Sequence, residues 1–301
     1  MQRTVVALAM AAFVGLLLGT IFPSAEGLRP LALPLLFVQT LVAVGSLAEA
    51  RSNTSLRWAG TMLVKHHLIA SVPMLGLGLI LGLDTWLGAG VFVLGAVPPA
   101  IAVPSYVAAF GGQVRPVIQF CMVGYGVGIV LTPLLAFLFL GSSGRVGSMI
   151  LTLIFGLILP TGLGTLGRPW LSRMSRRTSF TVIALCVTVV MLSMGAKLRT
   201  AIELGLEQPA LLAAAVAVGF GRCIWGAGLG WIWASADLKI ESAIVCGCKN
   251  AVLAAIIAYG AFGTLAALPA LVGLVAEAGI LLAASLFRIP GTGGGSRPYM
   301  S

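Results

Sequence analysis

Charged residues are what this sequence of 301 residues has least of: Asp, Glu, Lys and Arg together make up 9% of it, with eight carboxylates and two histidines in all. Ordinary soluble domains carry about 25% charged residues. No soluble fold hides a composition that is 59% hydrophobic with a mean hydropathy of +1.09. The shortage of polar groups also empties the usual enzyme repertoire. There is no Gly-rich phosphate loop, no paired-His metal motif and no Ser nucleophile elbow, so catalysis and a resident cofactor are not expected. The formal charge of +10 points to nucleic acid at first sight, but the Lys and Arg residues cluster at the ends of apolar runs rather than on one basic face. Nucleic acid is therefore set aside. Cys121, Cys186, Cys223, Cys246 and Cys248 all fall inside apolar segments, where a small buried hydrophobe is the default reading and a disulfide framework is not.

What is present is a series of ten apolar stretches, at about 4 to 22, 29 to 48, 57 to 82, 86 to 110, 116 to 140, 147 to 167, 179 to 197, 209 to 233, 240 to 260 and 265 to 287. Each is near the roughly 20 residues that carry a helix across a bilayer. They are continuously apolar rather than alternating, so helices are expected and a barrel is not. Ten spans consume the chain and leave little room for an extramembrane domain. With the N-terminus on the cytoplasmic side, eleven Lys and Arg lie inside (Arg3, Arg51, Arg57, Arg115, Arg168, Arg173, Arg176, Arg177, Lys239, Arg288, Arg297) and four outside (Arg29, Arg145, Lys197, Arg199). The bias predicts a multi-pass protein of a bacterial-type inner or plasma membrane with both termini in the cytoplasm. The first apolar run also resembles a signal peptide or anchor, but its place in a repeat argues that it is retained. The end, 290 to 301, is Gly/Ser/Pro-rich and reads as a disordered tail.

A shift of 150 residues superimposes the halves span for span, with Gly76-Leu77-Gly78-Leu79 falling on Gly226-Ala227-Gly228-Leu229 and Gly45 on Gly195. Five spans is an odd number, so residues 143 to 289 must enter the membrane in the opposite sense to residues 1 to 142. The expected architecture is an all-α inverted repeat, a design found mainly in transporters. In span four, Pro98 and Pro99, with Pro104 beyond, force a break, because an interior proline removes a donor and clashes with the preceding turn. The shift places Pro98, Pro99 and Ala100 on Cys248, Lys249 and Asn250 of span nine, another polar interruption of an apolar run. Two interrupted helices in equivalent positions point to a binding site at mid-membrane, where helix ends offer free N–H groups and carbonyls.

Lys249 is the first candidate there, since a charge at mid-bilayer costs about 2.5 to 3.5 kcal/mol on insertion scales. It either contacts substrate, couples proton movement to transport, or ties together carbonyls freed at the break. Arg222 and Glu277 are the other deep charges, as a structural ion pair or as an anion contact and a proton carrier. Cys248 with Cys246 flanks the span-nine break, a weak soft-metal motif. Ser105 and Gln39 complete the candidates. Lys65, His66 and His67 read as interfacial anchors, with a pH-sensing histidine pair as the alternative.

These motifs, PPA in span four and GCKNAVLAAIIA followed by ALPALV in spans nine and ten, resemble the bile acid:sodium symporter family. The resemblance implies ten spans in two inverted halves with crossing discontinuous helices at spans four and nine. In that family a PGG-type break is followed by a Ser-Asn pair, and span nine carries a Glu and then a Gln-Asn pair, which build two sodium sites. Pro98 and Ala100 fit the break, Asn250 the asparagine, and Leu268-Pro269-Ala270 the start of the last helix. Val245 stands at the glutamate position, Lys249 at the glutamine and Val103-Pro104 at the Ser-Asn pair, so almost no side-chain oxygen remains for sodium. The expectation is thus a secondary transporter of a small or amphipathic organic anion in contact with membrane lipid, working by alternating access without the family's sodium sites. Auxin-efflux-like or arsenite-type permeases, a channel and a non-transporting sensor compete with it.

Overall fold

The computed structural model of the protein describes residues 2–47, 56–100, 102–110, 112–140, 144–236 and 238–286. Arg51, Arg288, Arg297 and the expected tail at 290 to 301 lie outside the described residues. Helices α1 (Gln2–Ile21), α2 (Arg29–Leu47), α3 (Leu56–His66) and α4 (Val72–Ile80) are followed by α5 (Trp86–Ala96), α6 (Val103–Ala109) and α7 (Val114–Leu140). Next come α8 (Gly144–Leu153), α9 (Leu159–Leu166), α10 (Arg168–Leu171) and α11 (Arg176–Gly205). The chain closes with α12 (Pro209–Ile232), α13 (Lys239–Gly247), α14 (Ala251–Phe262) and α15 (Leu268–Leu286). Among the described residues there is no β-strand.

Five helical segments are long and apolar enough to cross a membrane: Pro23–Gly45, Arg57–Ile80, Pro116–Phe139, Arg177–Gly205 and Pro209–Ile232. Five shorter apolar ones are Met10–Ile21, Trp86–Ala96, Ile150–Leu166, Ala251–Phe262 and Leu265–Ile280. Each overlaps one of the ten apolar stretches of the sequence. Large aliphatic side chains stand on the outer surface, with Ile80 83%, Ile232 69% and Val130 65% exposed. Water does not tolerate so much contiguous apolar surface, whereas lipid does. The molecule is an all-helical membrane protein.

Two bundles lie side by side. In one, α1 packs on α11, α11 on α2 and α2 on α9. Backbones approach closely here: a Cβ on Gly19 would stand 2.1 Å from the Leu192 carbonyl oxygen, and one on Gly195 2.1 Å from that of Leu16. In the other bundle α4 packs on α5, α12 on α13 and α15, α3 on α7, and α14 on α5. Helix α11 extends two turns beyond Lys197, past the expected end of span seven, and Arg199 and Glu203 form an exposed i,i+4 ion pair at 2.8 Å there that adds a little support.

Two segments of π-helix, His67–Ser71 between α3 and α4 and Ile154–Ile158 between α8 and α9, share a cause. Pro73 and Pro160 follow them by two residues, and a proline leaves the carbonyl four residues back without its donor. The two orphaned carbonyls, Ile69 and Gly156, accept from neighbouring helices: Trp225 Nε1 donates to Ile69 at 3.1 Å and Thr40 Oγ1 to Gly156 at 3.4 Å. The first π segment places Ser71 beside the interruption of the α5–α6 segment.

Candidate functional site: the crossing of two interrupted helices

Helix α5 ends at Ala96, and Val97 turns extended, with φ −70° and ψ 152°. Helix α13 ends at Gly247, and Cys248 is extended likewise, with φ −112° and ψ 120°. The two extended pieces run antiparallel, with Pro99 paired to Lys249 and the Asn250 N–H donating to the Pro98 carbonyl at 3.1 Å. Pro98 has no N–H to return a second bond to Asn250. Asn250 then turns the chain into α14. Its φ of −73° and ψ of 69° are those of an inverse γ-turn, closed by the Ala251 N–H on the Lys249 carbonyl at 2.7 Å. Its Oδ1 caps the Leu253 N–H at 3.1 Å. The expected free N–H groups at the start of α14 are therefore partly consumed by this chain's own asparagine.

An interrupted helix in hydrocarbon must find partners for its freed carbonyls, and here Lys249 and side chains from three other helices supply them. Lys249 Nζ, fully buried, donates to the Gly95 carbonyl at 2.5 Å and to Ser71 Oγ at 2.7 Å. Thr132 Oγ1 of α7 donates to the Ala96 carbonyl at 2.7 Å. On the other break, His66 Nδ1 bonds the Val245 carbonyl at 2.8 Å. A carbonyl only accepts, so Nδ1 is the donor in this bond, and His66 Nε2 has no hydrogen-bond partner. Arg222 Nη1 reaches the Gly247 carbonyl at 3.4 Å, while its Nη2 bonds Glu277 Oε1 at 2.5 Å. The same Glu277 oxygen accepts the Lys249 backbone N–H at 3.2 Å. Arg222 and Glu277 thus form a buried ion pair that also holds the α13–α14 break. Arg222 comes this near because α12 lies against α13 at small residues: a Cβ on Gly226 would stand 2.3 Å from the Cys246 carbonyl oxygen.

Of the sequence candidates, the fold gathers Pro98, Pro99, Cys248, Lys249, Asn250, Arg222 and Glu277 into this crossing. Gln39 sits half-buried in α2, in the other bundle, next to Thr40. The backbone of Ser105 lies in α6, and its side chain is outside the described ones. His66 departs from the interfacial expectation: it is fully buried, edge-on to Phe120 at 5.5 Å between ring centroids, because the α13 terminus needs its donor. Lys65 donates to the Trp233 carbonyl at 2.9 Å, and half-buried His67 bonds the Leu63 carbonyl of its own helix at 2.8 Å. All five cysteines are free and buried, and among the described residues no group of three His, Cys, Asp or Glu is placed to hold a metal ion.

Four residues of the site went unselected in the sequence. Ser71 depends on the π segment, for which Pro73 was the available signal. Thr132 sits beside Pro133 in an otherwise apolar run. Gly95 acts only through its carbonyl. Glu241, buried in the first turn of α13, accepts the Gln113 N–H and so anchors the loop after α6. Asn250 Nδ2 and His66 Nε2 are buried without a hydrogen-bond partner.

The arrangement defines a class, a helical membrane protein whose polar core is the crossing of two interrupted helices. The chain matches no model of a known protein family and no curated protein.

Proposed function

We propose that this protein is a secondary carrier of a small organic anion, built of ten spans in two inverted halves and moving one bundle against the other. The observation that carries the reading is the pairing of Pro99 with Lys249. These residues are equivalent under the shift of 150, and a residue paired with its own equivalent lies on the two-fold axis of an inverted repeat. The packing supports the same relation. The α1–α11 contact has its counterpart in α9–α2, the α4–α5 contact in α12–α13, and the α5–α14 contact in α13–α6. Gly95 and Val245 are also equivalent, and each receives a side-chain donor, Lys249 and His66.

The crossing offers few free oxygens to sodium. The ion requires several, and the carbonyls of Gly95, Ala96, Pro98, Val245 and Gly247 are each occupied by a protein donor. Lys249 stands where the resemblance would put a cation, its Nζ tied between the Gly95 carbonyl and Ser71 Oγ. Transport is then a uniport, an exchange or a proton-coupled process. His66, whose buried Nε2 has no hydrogen-bond partner, is a candidate proton relay. The test is uptake of organic anions into proteoliposomes with and without an inward sodium gradient: equal rates are expected, and a strict sodium requirement refutes the reading.

A further inference from the structure

Away from the crossing, at the far end of α14 from Asn250, a cavity of about 150 Å³ opens between the two bundles. Its wall carries Arg29 from the start of α2, Lys197 from α11 and Tyr259 from α14. Both cations face one ring, the Arg29 guanidinium carbon 4.1 Å and Lys197 Nζ 4.4 Å from the Tyr259 centroid. Lys197 also donates to the Tyr259 hydroxyl at 3.3 Å, which leaves the hydroxyl proton free to donate into the space. The remainder of the wall is apolar, with Leu33, Met194 and Ile256 among its residues.

The charge balance is uneven. Lys197 pairs with Glu26, and among the described residues no carboxylate lies within ion-pair distance of Arg29. Two cations and one carboxylate leave one positive charge beside an apolar space. The pair is also lopsided in exposure: the Lys197 side chain is 5% exposed and that of Glu26 44%. The ammonium is thus fixed in the wall while its carboxylate stands on the solvent side, on a short 3₁₀ segment, Pro23–Leu28. An exposed partner of this kind contributes little and exchanges readily, whereas the buried cation needs a carboxylate at all times.

We propose that the cavity binds a small monocarboxylate with an apolar tail, its carboxylate between Arg29 and Lys197 in place of Glu26. With Glu26 displaced to the solvent side the bound carboxylate sits between two cations, and the second carboxylate of a dianion would have to enter the apolar part of the wall at a desolvation cost. The volume lies below the roughly 300–1,000 Å³ of pockets for drug-sized ligands, so a compact acid fits and a steroid-sized one does not. Glu26 is a resident competitor for Lys197, a carboxylate of the chain itself that the ligand displaces. This names the substrate class of the carrier proposed above and rests on that reading for its role, while binding itself does not require transport.

The experiment is calorimetric titration of the purified full-length protein with hexanoate, hexanol and succinate, paired with hexanoate flux in proteoliposomes. Saturable hexanoate binding with none for hexanol and at least tenfold weaker succinate binding is expected. Glu26→Gln should tighten hexanoate several-fold, and Arg29→Gln should weaken it about tenfold. Both residues are on the exposed side, so these variants keep the test valid if Lys197→Gln does not fold. Absence of hexanoate binding in both wild type and Glu26→Gln, equal binding of hexanol, or weaker binding by Glu26→Gln overturns the site. Binding without flux overturns the carrier and leaves the site standing; flux indifferent to Glu26→Gln and Arg29→Gln does the reverse.

Discussion

The two interruptions that meet at the crossing are held open by different chemistry. Between α5 and α6 the backbone itself forbids a helix, since Pro98 and Pro99 have no N–H to offer and clash with the turn before them. Between α13 and α14 there is no proline, and Cys248, Lys249 and Asn250 are all able to continue a helix. That break persists because side chains reward it: Arg222 takes the Gly247 carbonyl, Glu277 the Lys249 N–H and Asn250 the first turn of α14. A break written into the backbone survives the loss of one partner, whereas a break written in side chains does not. The two are also coupled, because Lys249 belongs to the second and satisfies the first.

Substitutions can sharpen that contrast, beginning with the one expected to do most damage. Glu277→Ala strands the buried guanidinium of Arg222 and the Lys249 N–H together. Removing one member of a buried pair costs about 3–5 kcal/mol, so thermal unfolding in detergent should fall steeply. The double variant Arg222→Met with Glu277→Leu should recover a large part of the loss, as expected when no unpaired charge remains. If the single variant unfolds like wild type, the ion pair does not hold the second break.

Lys249→Met comes next. It leaves the Gly95 carbonyl and Ser71 hydroxyl without their donor, at about 1–3 kcal/mol for an unsatisfied buried group, and should abolish counterflow while the protein still inserts. Full activity in this variant would detach Lys249 from transport. Asn250→Ala removes the cap of α14 and should cost about 1 kcal/mol, read from the same unfolding curves. Smallest is Thr132→Val on the proline-made break, at about 0.6 kcal/mol, the average for side-chain hydrogen bonds within a membrane. An effect of Thr132→Val larger than that of Asn250→Ala would reverse the proposed difference between the breaks.

The same contrast explains what was legible beforehand. The first break could be read at once, because the effect of a proline is local to its own peptide. The second showed through a charged and an amide side chain inside an apolar run, together with the 150-residue shift that aligns them with the prolines. Arg222 and Glu277 were visible as charges too deep to stand alone. What could not be read were partners set by distance in space: His66 looked like one of a row of polar residues near a helix end, and nothing local announces that its ring reaches Val245. Ser71 depends on one extra residue per turn in the π segment, which rotates it toward Lys249. Lys197 counted only toward orientation until α2 and α14 placed Arg29 and Tyr259 around it.

The crossing itself can be tested with a single new cysteine. The register that sets Pro98 opposite Asn250 and Pro99 opposite Lys249 sets Ala100 opposite the native Cys248, both buried. Facing residues in such a pair have Cα atoms about 5.5 Å apart, within reach of a disulfide. With the other four cysteines replaced by alanine, Ala100→Cys should form a reducible link to Cys248 on oxidation in the membrane, seen as loss of both thiols to alkylation after denaturation. Two thiols that stay free under those conditions would mean that the interrupted segments do not cross, and the carrier mechanism built on their meeting would fall.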